Sequence, residues 1–336
     1  VAVAEQLMER LKALETEQSP FDPALKGLEK RGVRYVRPEL VAEVDFRAWT
    51  ADGHLRHASF RGLREDKDAQ EVTGEGLPAG AAAEAATNTP PPVRRIKLSH
   101  PERVYWPEEG LTKADLADYY TAVWPWIAPH VTGRPLALLR CPDGIDGQQF
   151  FQKHEWKGMN AAILRVQDPA DAKDPPSLAI ADLDGLVALA QSATLETHPW
   201  GSTLKDWERP DRIVIDLDPG DGVVWSDLIL AAQDVRERLA DRGLVGFVKT
   251  SGGKGLHVVA PLKPKAAWPE VKAFCHGLAK EMASDEPTLY VSTIAKAKRG
   301  GKILVDYLRN QRGATAVAAY STRARPGAQV SAPLTW

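Results

Sequence analysis

Asp216 and Asp218 stand two residues apart in RIVIDLDPGDG (212–222), at the end of the apolar run Ile213-Val214-Ile215. Alternate residues of a strand project to one face, about 7 Å apart. Two carboxylates so placed repel each other unless a divalent cation sits between them. An Asp before Pro219-Gly220 is also ordinary turn chemistry, so the pair gains meaning from its companions. Asp306 lies inside the apolar run KILVDYLRN. A carboxylate there is costly unless it pairs with Lys302 or Arg309 or holds a metal. Together the three carboxylates suit two-metal phosphoryl chemistry, in which one ion lowers the pKa of an attacking hydroxyl and the other steadies a leaving pyrophosphate. Oxygen ligands favour Mg²⁺ or Mn²⁺ over Zn²⁺.

Anion-binding features follow. Ser251-Gly252-Gly253-Lys254-Gly255 lacks the GK[ST] ending of a Walker loop and joins two strands. Its glycines let backbone N–H groups approach an anion, and Lys254 adds charge; a plain hairpin loop is the other reading. His257, next to this loop, can donate to a phosphate oxygen or serve as a core histidine. Lys296, Lys298, Arg299, Lys302, Arg309 and Arg312 crowd around Asp306, and Arg323 and Arg325 extend the run. That density suits a polyphosphate or a nucleic-acid backbone better than a solvated loop. Phe150-Phe151-Gln152-Lys153-His154 interleaves aromatic and basic residues, as a base-stacking platform does, although Phe pairs also build cores. Arg103 and Lys113 flank VYWPEEGLT, where Thr112 can cap a helix whose N-terminus attracts phosphate.

The elements that would position these residues repeat regularly from 212 onward. Strand 213–218, helix 225–241 (with Gly243 as C-cap), strands 244–250 and 256–261, helix 268–283 and strand 302–308 follow in order. That β-α-β-β-α-β order is the split, ferredoxin-like motif. Its first strand lies between the third and fourth, so Asp216 and Asp218 would have His257 on one neighbour and Asp306 on the other. Residues 73–93, Ala-, Gly- and Pro-rich, read as a linker. Before it, a helical stretch (4–15) leads to strand-like runs 32–38 and 40–50. The Asp52-Gly53 turn then introduces a basic hairpin partner carrying His54, Arg56, His57, Arg61, Arg64 and Lys67.

The 336 residues carry a net charge of −2, which gives no global hint of nucleic acid. Cys141 and Cys275 lack metal-ligand spacing and fit buried thiols in a reducing cytosol. No apolar run is long enough to cross a bilayer, and no signal peptide is visible. The start at Val1 and the end at Trp336 read as an excised piece of a longer protein.

On HPERVYWPEEGLTK, RPLALLRCPDGIDGQQFFQKH, ETHPWGS, RPDRIVIDLDPG, KTSGGKGLHVV and KILVDYLRNQRGATAVAAYSTRARPG, residues 94–336 resemble the polymerase domain of bacterial ligase D. That end-joining repair enzyme belongs to the archaeo-eukaryotic primase superfamily. The resemblance implies that Asp216, Asp218 and Asp306 bind metal. It implies that Ser251, Lys254, His257, Arg299, Arg309 and Arg323 meet the incoming nucleotide, with His198 near its sugar. Arg103 and Lys113 would hold the 5′-phosphate of a downstream strand, and Phe150 and Phe151 would contact template. Residues 1–72 resemble the C-terminal part of the ligase oligonucleotide-binding fold, Arg64-Glu65-Asp66-Lys67 matching its last nucleotidyltransferase motif. No K-x-D-G nucleophile motif is present, and a five-stranded barrel needs more sequence.

The expected fold class is therefore α+β, a ferredoxin-like (RRM-like) primase-type core behind a β-rich partial oligonucleotide-binding fold. The expected function is template-directed addition of ribo- or deoxyribonucleotides and gap filling at DNA breaks. It would use two Mn²⁺ or Mg²⁺ ions and an NTP or dNTP, in the cytoplasm at the bacterial nucleoid, beside a Ku-type end-binding protein. A metal-dependent phosphodiesterase and a non-catalytic DNA-end-binding module are the rival functions.

Overall fold

The structure is a computed structural model that describes residues 2–19, 34–45, 48–49, 55–56, 59–64, 69 and 95–336. The chain divides into two compact units, Val1–Pro90 and Pro91–Trp336. The linker 73–93, the Asp52-Gly53 turn, His54, His57 and motif residues Glu65, Asp66 and Lys67 lie outside the described residues.

In the first unit, helix α1 (Ala2–Ala13) is followed by strands β1 (Glu15–Thr16) and β2 (Tyr35–Val36), which pair with each other. Strand β3 (Ala42–Asp45) pairs antiparallel with β6 (Ser59–Leu63), and β4 (Ala48–Trp49) with β5 (Leu55–Arg56). The expected helix and hairpin partner are thus present. Among the described residues these ladders join into no larger sheet.

The second unit is built around two five-stranded sheets. It opens with the hairpin β7 (Val104–Trp106) and β8 (Leu111–Thr112) and helices α2 (Lys113–Ala122) and α3 (Trp124–Val131). Strand β9 (Leu136–Arg140) centres the first sheet, pairing with β10 (Phe150–Gln152), β12 (Ser177–Ala179) and β13 (Thr194–Pro199); β11 (Leu164–Val166) pairs with β12. Helix α4 (Leu183–Gln191) starts at Asp182, whose side chain accepts from the Gly185 N–H, and buries Leu186, Val187 and Leu189 against this layer.

The second sheet has the order β15 (Phe247–Thr250), β16 (Leu256–Pro261), β14 (Arg212–Pro219), β18 (Ile303–Asp306), β17 (Tyr290–Val291). The first strand of the β-α-β-β-α-β motif does lie between its third and fourth. Strand β17, parallel to β18, is an addition that two residues could not announce in the sequence. Period two decides which face is which. Ile213, Ile215, Leu217, Val258, Ala260, Ile303 and Val305 point to one face and join one buried cluster. Helices α5 (Trp225–Ala240) and α6 (Trp268–Asp285) cover that face. α5 does so with Leu228, Ala231, Val235 and Leu239, and α6 with Val271, Cys275, Leu278 and Met282, both at helical spacing. Gly243, at φ +72°, ends the first of these helices while the Leu244 N–H reaches the Leu239 carbonyl at 2.9 Å. Each fully buried Leu or Ile contributes about 1.5–3 kcal/mol, and Ile215→Ala would cost about 2–5 kcal/mol through the cavity it leaves. The same alternation sends Arg212, Val214, Asp216 and Asp218 to the helix-free face. Among the described residues no helix is long and apolar enough to cross a membrane.

Candidate active site

Register brings the ionisable residues into one row across the helix-free face. Asp216 faces Asp306 on β18 and His257 on β16, and Lys249 of β15 faces His257. The sequence placed His257 and Asp306 correctly on either side of Asp216; Lys249, fourth in the row, it passed over, because a lysine in an alternating strand reads as solvent-facing.

Asp216 Oδ1 lies 3.3 Å from His257 Nε2, and its Oδ2 accepts from Arg309 Nε at 3.2 Å. Arg309 also reaches Asp306 Oδ2 at 3.4 Å, so one guanidinium bridges the two facing carboxylates. Burial works against ionisation of Asp216, but the His257 contact and the Arg309 charge hold its carboxyl well below the usual range. Burial pushes Asp306 the other way, and the Asp216 charge adds to that rise. Burial and the Lys249 charge bring His257 down to about 4, so its ring is neutral at neutral pH. The ring nitrogen Nδ1 of His257 is buried without a hydrogen-bond partner. Asp218, at the mouth, is half exposed and pairs with Arg299 at 3.2 Å.

Two glycines let the surrounding loops close in. A Cβ on Gly255 would collide with the Leu217 carbonyl oxygen, so the 251–255 loop can lie against the carboxylate strand only with glycine there. A Cβ on Gly220 would meet the Arg299 carbonyl oxygen, which fixes the Arg299 loop beside Asp218. The 251–255 loop holds itself through Ser251 N–H to the Gly255 carbonyl (2.9 Å) and Gly255 N–H to Ser251 Oγ (3.1 Å). Arg323 donates to the Ser251 carbonyl.

These elements enclose a polar cleft of about 390 Å³, lined among others by His198, Asp216, Asp218, Ser251, Lys254, His257, Arg309 and Arg323. Asp306 and Arg299 adjoin it through the ion pairs just described. Thr315 also lines it, in a segment whose irregular backbone gave no signal. Among the described residues no group of three His, Cys, Asp or Glu side chains converges as a metal site stands. The Arg309 guanidinium lies between Asp216 and Asp306 instead, and Arg299 pairs with Asp218. A cation already bridges Asp216 and Asp306, and the donor set is oxygen alone; both observations fit a hard divalent ion.

Glu196 escaped the sequence. It lies on β13, two residues before His198, with a side chain only 3% exposed. His198 Nε2 lies 2.7 Å from its Oε2, while Arg323 Nε lies 3.0 Å from its Oε1. The spacing Glu-x-His on a strand was the available signal, since it puts both side chains on one face. Phe151, 57% exposed, meets the His198 ring edge-on at 5.4 Å, so one of the two aromatics does reach the cleft rim. Phe150 lies under the Arg140 guanidinium, 5.5 Å from its ring centre.

Arg103 and Lys113 form a separate place. The Lys113 N–H donates to the Arg103 carbonyl at 2.8 Å. Thr112 caps α2 in a capping box with Asp115. Lys113 is 4% exposed and its ammonium donates to the Ser99 carbonyl at 2.7 Å; burial, then the Arg103 charge, lowers its pKa. Arg103 is exposed and donates to the Pro142 carbonyl at 3.1 Å.

Residues 112–336 match the family described as LigD, primase-polymerase domain, and residues 2–67 match the ATP dependent DNA ligase C terminal region. The Multifunctional non-homologous end joining protein LigD of Pseudomonas aeruginosa is 38% identical over 338 residues, which cover 99% of this chain and 40% of that protein. The Bifunctional non-homologous end joining protein LigD of Bacillus subtilis is 28% identical over 302 residues, 90% of this chain and 47% of that protein. The chain thus spans less than half the length of these relatives. Among solved structures, the polymerase domain from Mycobacterium tuberculosis ligase D in complex with DNA superposes with a TM-score of 0.68 at 33% identity, covering 73% of this chain and 88% of that one. The chain belongs to the LigD primase-polymerase family.

Proposed function

We propose that this chain adds nucleotides to a primer 3′ end at broken DNA and fills short gaps under the direction of a template. The observation that carries the proposal is the register that sets Asp216, on the wall of a cation-lined cleft, opposite Asp306. Asp216, Asp218 and Asp306 would hold Mn²⁺ or Mg²⁺, once Arg309 and Arg299 turn to the phosphates of an NTP or dNTP. When bound, such ions supply hydroxyl activation and charge neutralisation at the leaving pyrophosphate. Ser251, Lys254, His257 and Arg323 complete the triphosphate wall, His198 faces the sugar, and Phe150 and Phe151 meet template. Arg103 and Lys113 take the 5′-phosphate across a gap, with Lys113 limited to the donors that Ser99 leaves free. Residues 1–72 are proposed as the C-terminal fragment of a ligase oligonucleotide-binding fold, 73–93 as a linker and 94–336 as the polymerase domain.

Support for DNA as partner comes from the matched polymerase domain, which is described in complex with DNA. The relatives' names speak of non-homologous end joining, and a Ku-type partner at the nucleoid in the cytoplasm is proposed on that basis. A phosphodiesterase could use the same carboxylates but has no need of a triphosphate-sized basic cleft. A mere end-binder explains the cations but not the acids among them. Primer extension on gapped, 5′-phosphorylated DNA with ATP and Mn²⁺ decides among them. Strand growth is the expected result; strand cleavage would favour the first rival, and binding without chemistry the second.

A further inference from the structure

We infer that Glu196 is a positioning residue for the nucleotide site, setting both the hydrogen-bonding state of His198 and the reach of Arg323. The inference rests on the proposed nucleotide reading of the cleft. Glu196 is absent from the cleft wall, whereas His198 and Arg323 both line it. Its two carboxylate oxygens are fully committed behind that wall. Oε2 accepts from His198 Nε2 at 2.7 Å, and Oε1 accepts from the Ala324 N–H at 2.9 Å and pairs with Arg323 at 3.0 Å. A register shift between Thr194 and Glu196 on β13 marks where the strand is adjusted at this residue.

The chemistry follows from donor counting. An ionised carboxylate only accepts hydrogen bonds, so Nε2 of His198 must carry the ring proton. Burial alone would raise the Glu196 pKa, but the His198 bond, the Arg323 charge and the Ala324 N–H bring it down to about 2. Burial also lowers the His198 pKa, which keeps that ring neutral. Nδ1 is left as a bare acceptor, with no hydrogen-bond partner among the described residues. His198 therefore offers an acceptor, which suits a ligand hydroxyl that donates. A sugar bearing free hydroxyls gains from this arrangement, and one lacking them does not. On its other side Glu196 anchors Arg323, which in turn holds the Ser251 carbonyl and so the 251–255 loop. One buried carboxylate thus couples the sugar side of the cleft to its phosphate side.

The test titrates the full chain, with Mn²⁺, using ATP and 2′,3′-dideoxy-ATP. The wild-type chain should bind ATP about tenfold more tightly, the worth of about one hydrogen bond. In Glu196→Leu, which removes the carboxylate that holds the ring and Arg323, that preference should fall to near unity while affinity for gapped DNA stays unchanged. In a His198→Ala background the same substitution should leave the ratio where it already is. Retention of the wild-type ratio by a folded Glu196→Leu chain overturns the inference. Nitrogen-15 NMR of the wild-type chain checks it without any variant: a His198 ring protonated at Nδ1 overturns it, and one protonated at Nε2 bears it out. If the wild-type chain binds no ATP at all, the nucleotide reading itself fails, which is a separate result.

Discussion

The two ends of the helix-free sheet face handle charge in opposite ways. At the carboxylate end Arg309 bridges Asp216 and Asp306, Arg299 pairs with Asp218, and the Arg309 side chain is 42% exposed. At the other end Arg134, 5% exposed, and Arg212 share the single carboxylate of Asp211. Arg134 also donates to the Ser202 carbonyl at 3.2 Å, and Lys249, in the carboxylate row but on the wall of the neighbouring cavity, gives its ammonium to Ser331 Oγ at 2.7 Å and the Val317 carbonyl at 3.1 Å. A cavity of about 630 Å³ at that end is mostly apolar, with His130, Arg212 and Lys249 on its wall. The first end has as many acids as a ligand cation would need, and its arginines can move to solvent or to phosphate. The second has cations in excess, held by Asp211, a serine hydroxyl and backbone carbonyls. Exchangeable charge marks the chemistry, and fixed charge holds the layers together.

The sharpest way to break this comparison is to remove an acid from the exchangeable end. Asp306→Asn keeps the shape and removes the charge that Arg309 and a metal would share. Nucleotide addition should fall by about 10³-fold or more, given the several kcal/mol that metal ligation contributes to such chemistry. Affinity for gapped DNA, measured by fluorescence anisotropy, should not fall with it. A folded Asp306→Asn chain that still extends primers would refute the assignment.

At the fixed end the corresponding loss is in folding. Arg134→Met removes a buried guanidinium and leaves Asp211, a quarter exposed, with Arg212 alone, which costs about 1.5–3 kcal/mol. Thermal unfolding should show this, and extension by the remaining folded chain at low temperature should survive. If stability is untouched while extension vanishes, the two ends have been assigned the wrong way round.

How much of this contrast the residues announced differs between the ends. Asp216, His257 and Asp306 were legible because three regular strands follow one alternation and the split β-α-β-β-α-β order fixes their neighbours. The fixed end depends on Arg134 and Asp211, which are 77 residues apart and belong to no common periodic element. The first sheet was equally hidden: its strands β10, β11 and β12 have three residues each, too few to show a period. Glu196 was missed because a carboxylate two residues from a histidine looks like any polar strand face until burial is known. The place of Lys113 at a helix start points to a phosphate ligand, and nothing in the spacing shows that its ammonium is turned inward to Ser99.

Arg309→Met tests whether the bridging guanidinium is exchangeable. Since a bound cation and Arg309 compete for the same oxygens, Mn²⁺ alone should bind several-fold more tightly to the variant, while ATP with Mn²⁺ should bind about tenfold more weakly. Equal weakening of both would mean that Arg309 is a fixed strut like Arg134.

Lys113 lies between the two cases, buried yet charged at a helix start. Lys113→Met, which keeps the packing, should weaken binding to a 5′-phosphorylated gap by about three- to tenfold and leave an unphosphorylated gap nearly unchanged. An equal loss on both DNAs would reduce Lys113 to a tie between α2 and Ser99.

The smallest effect is a pH dependence, and it belongs to the fixed end. Burial brings the His130 pKa down from the usual 6.5 to about 4, and Arg212, Arg134 and Lys249 add repulsion. The Tyr320 ring beside it, 6.3 Å away between centroids, offers no charge in return. In the unfolded chain the imidazole takes up its proton near pH 6.5, whereas in the folded chain it stays neutral until about pH 4. The unfolded state therefore binds more protons between those values. Stability from this group is complete above pH 6.5 and is lost as pH falls through the window. With solvent screening at a partly exposed ring, the loss should be on the order of 1 kcal/mol. His130→Gln removes the titration, so denaturant midpoints at pH 7 and pH 4.5 should lie closer together in the variant than in the wild-type chain. If the variant instead loses stability on acidification as steeply as the wild type, the cations around His130 are not crowding it, and the fixed end holds less excess charge than its geometry implies.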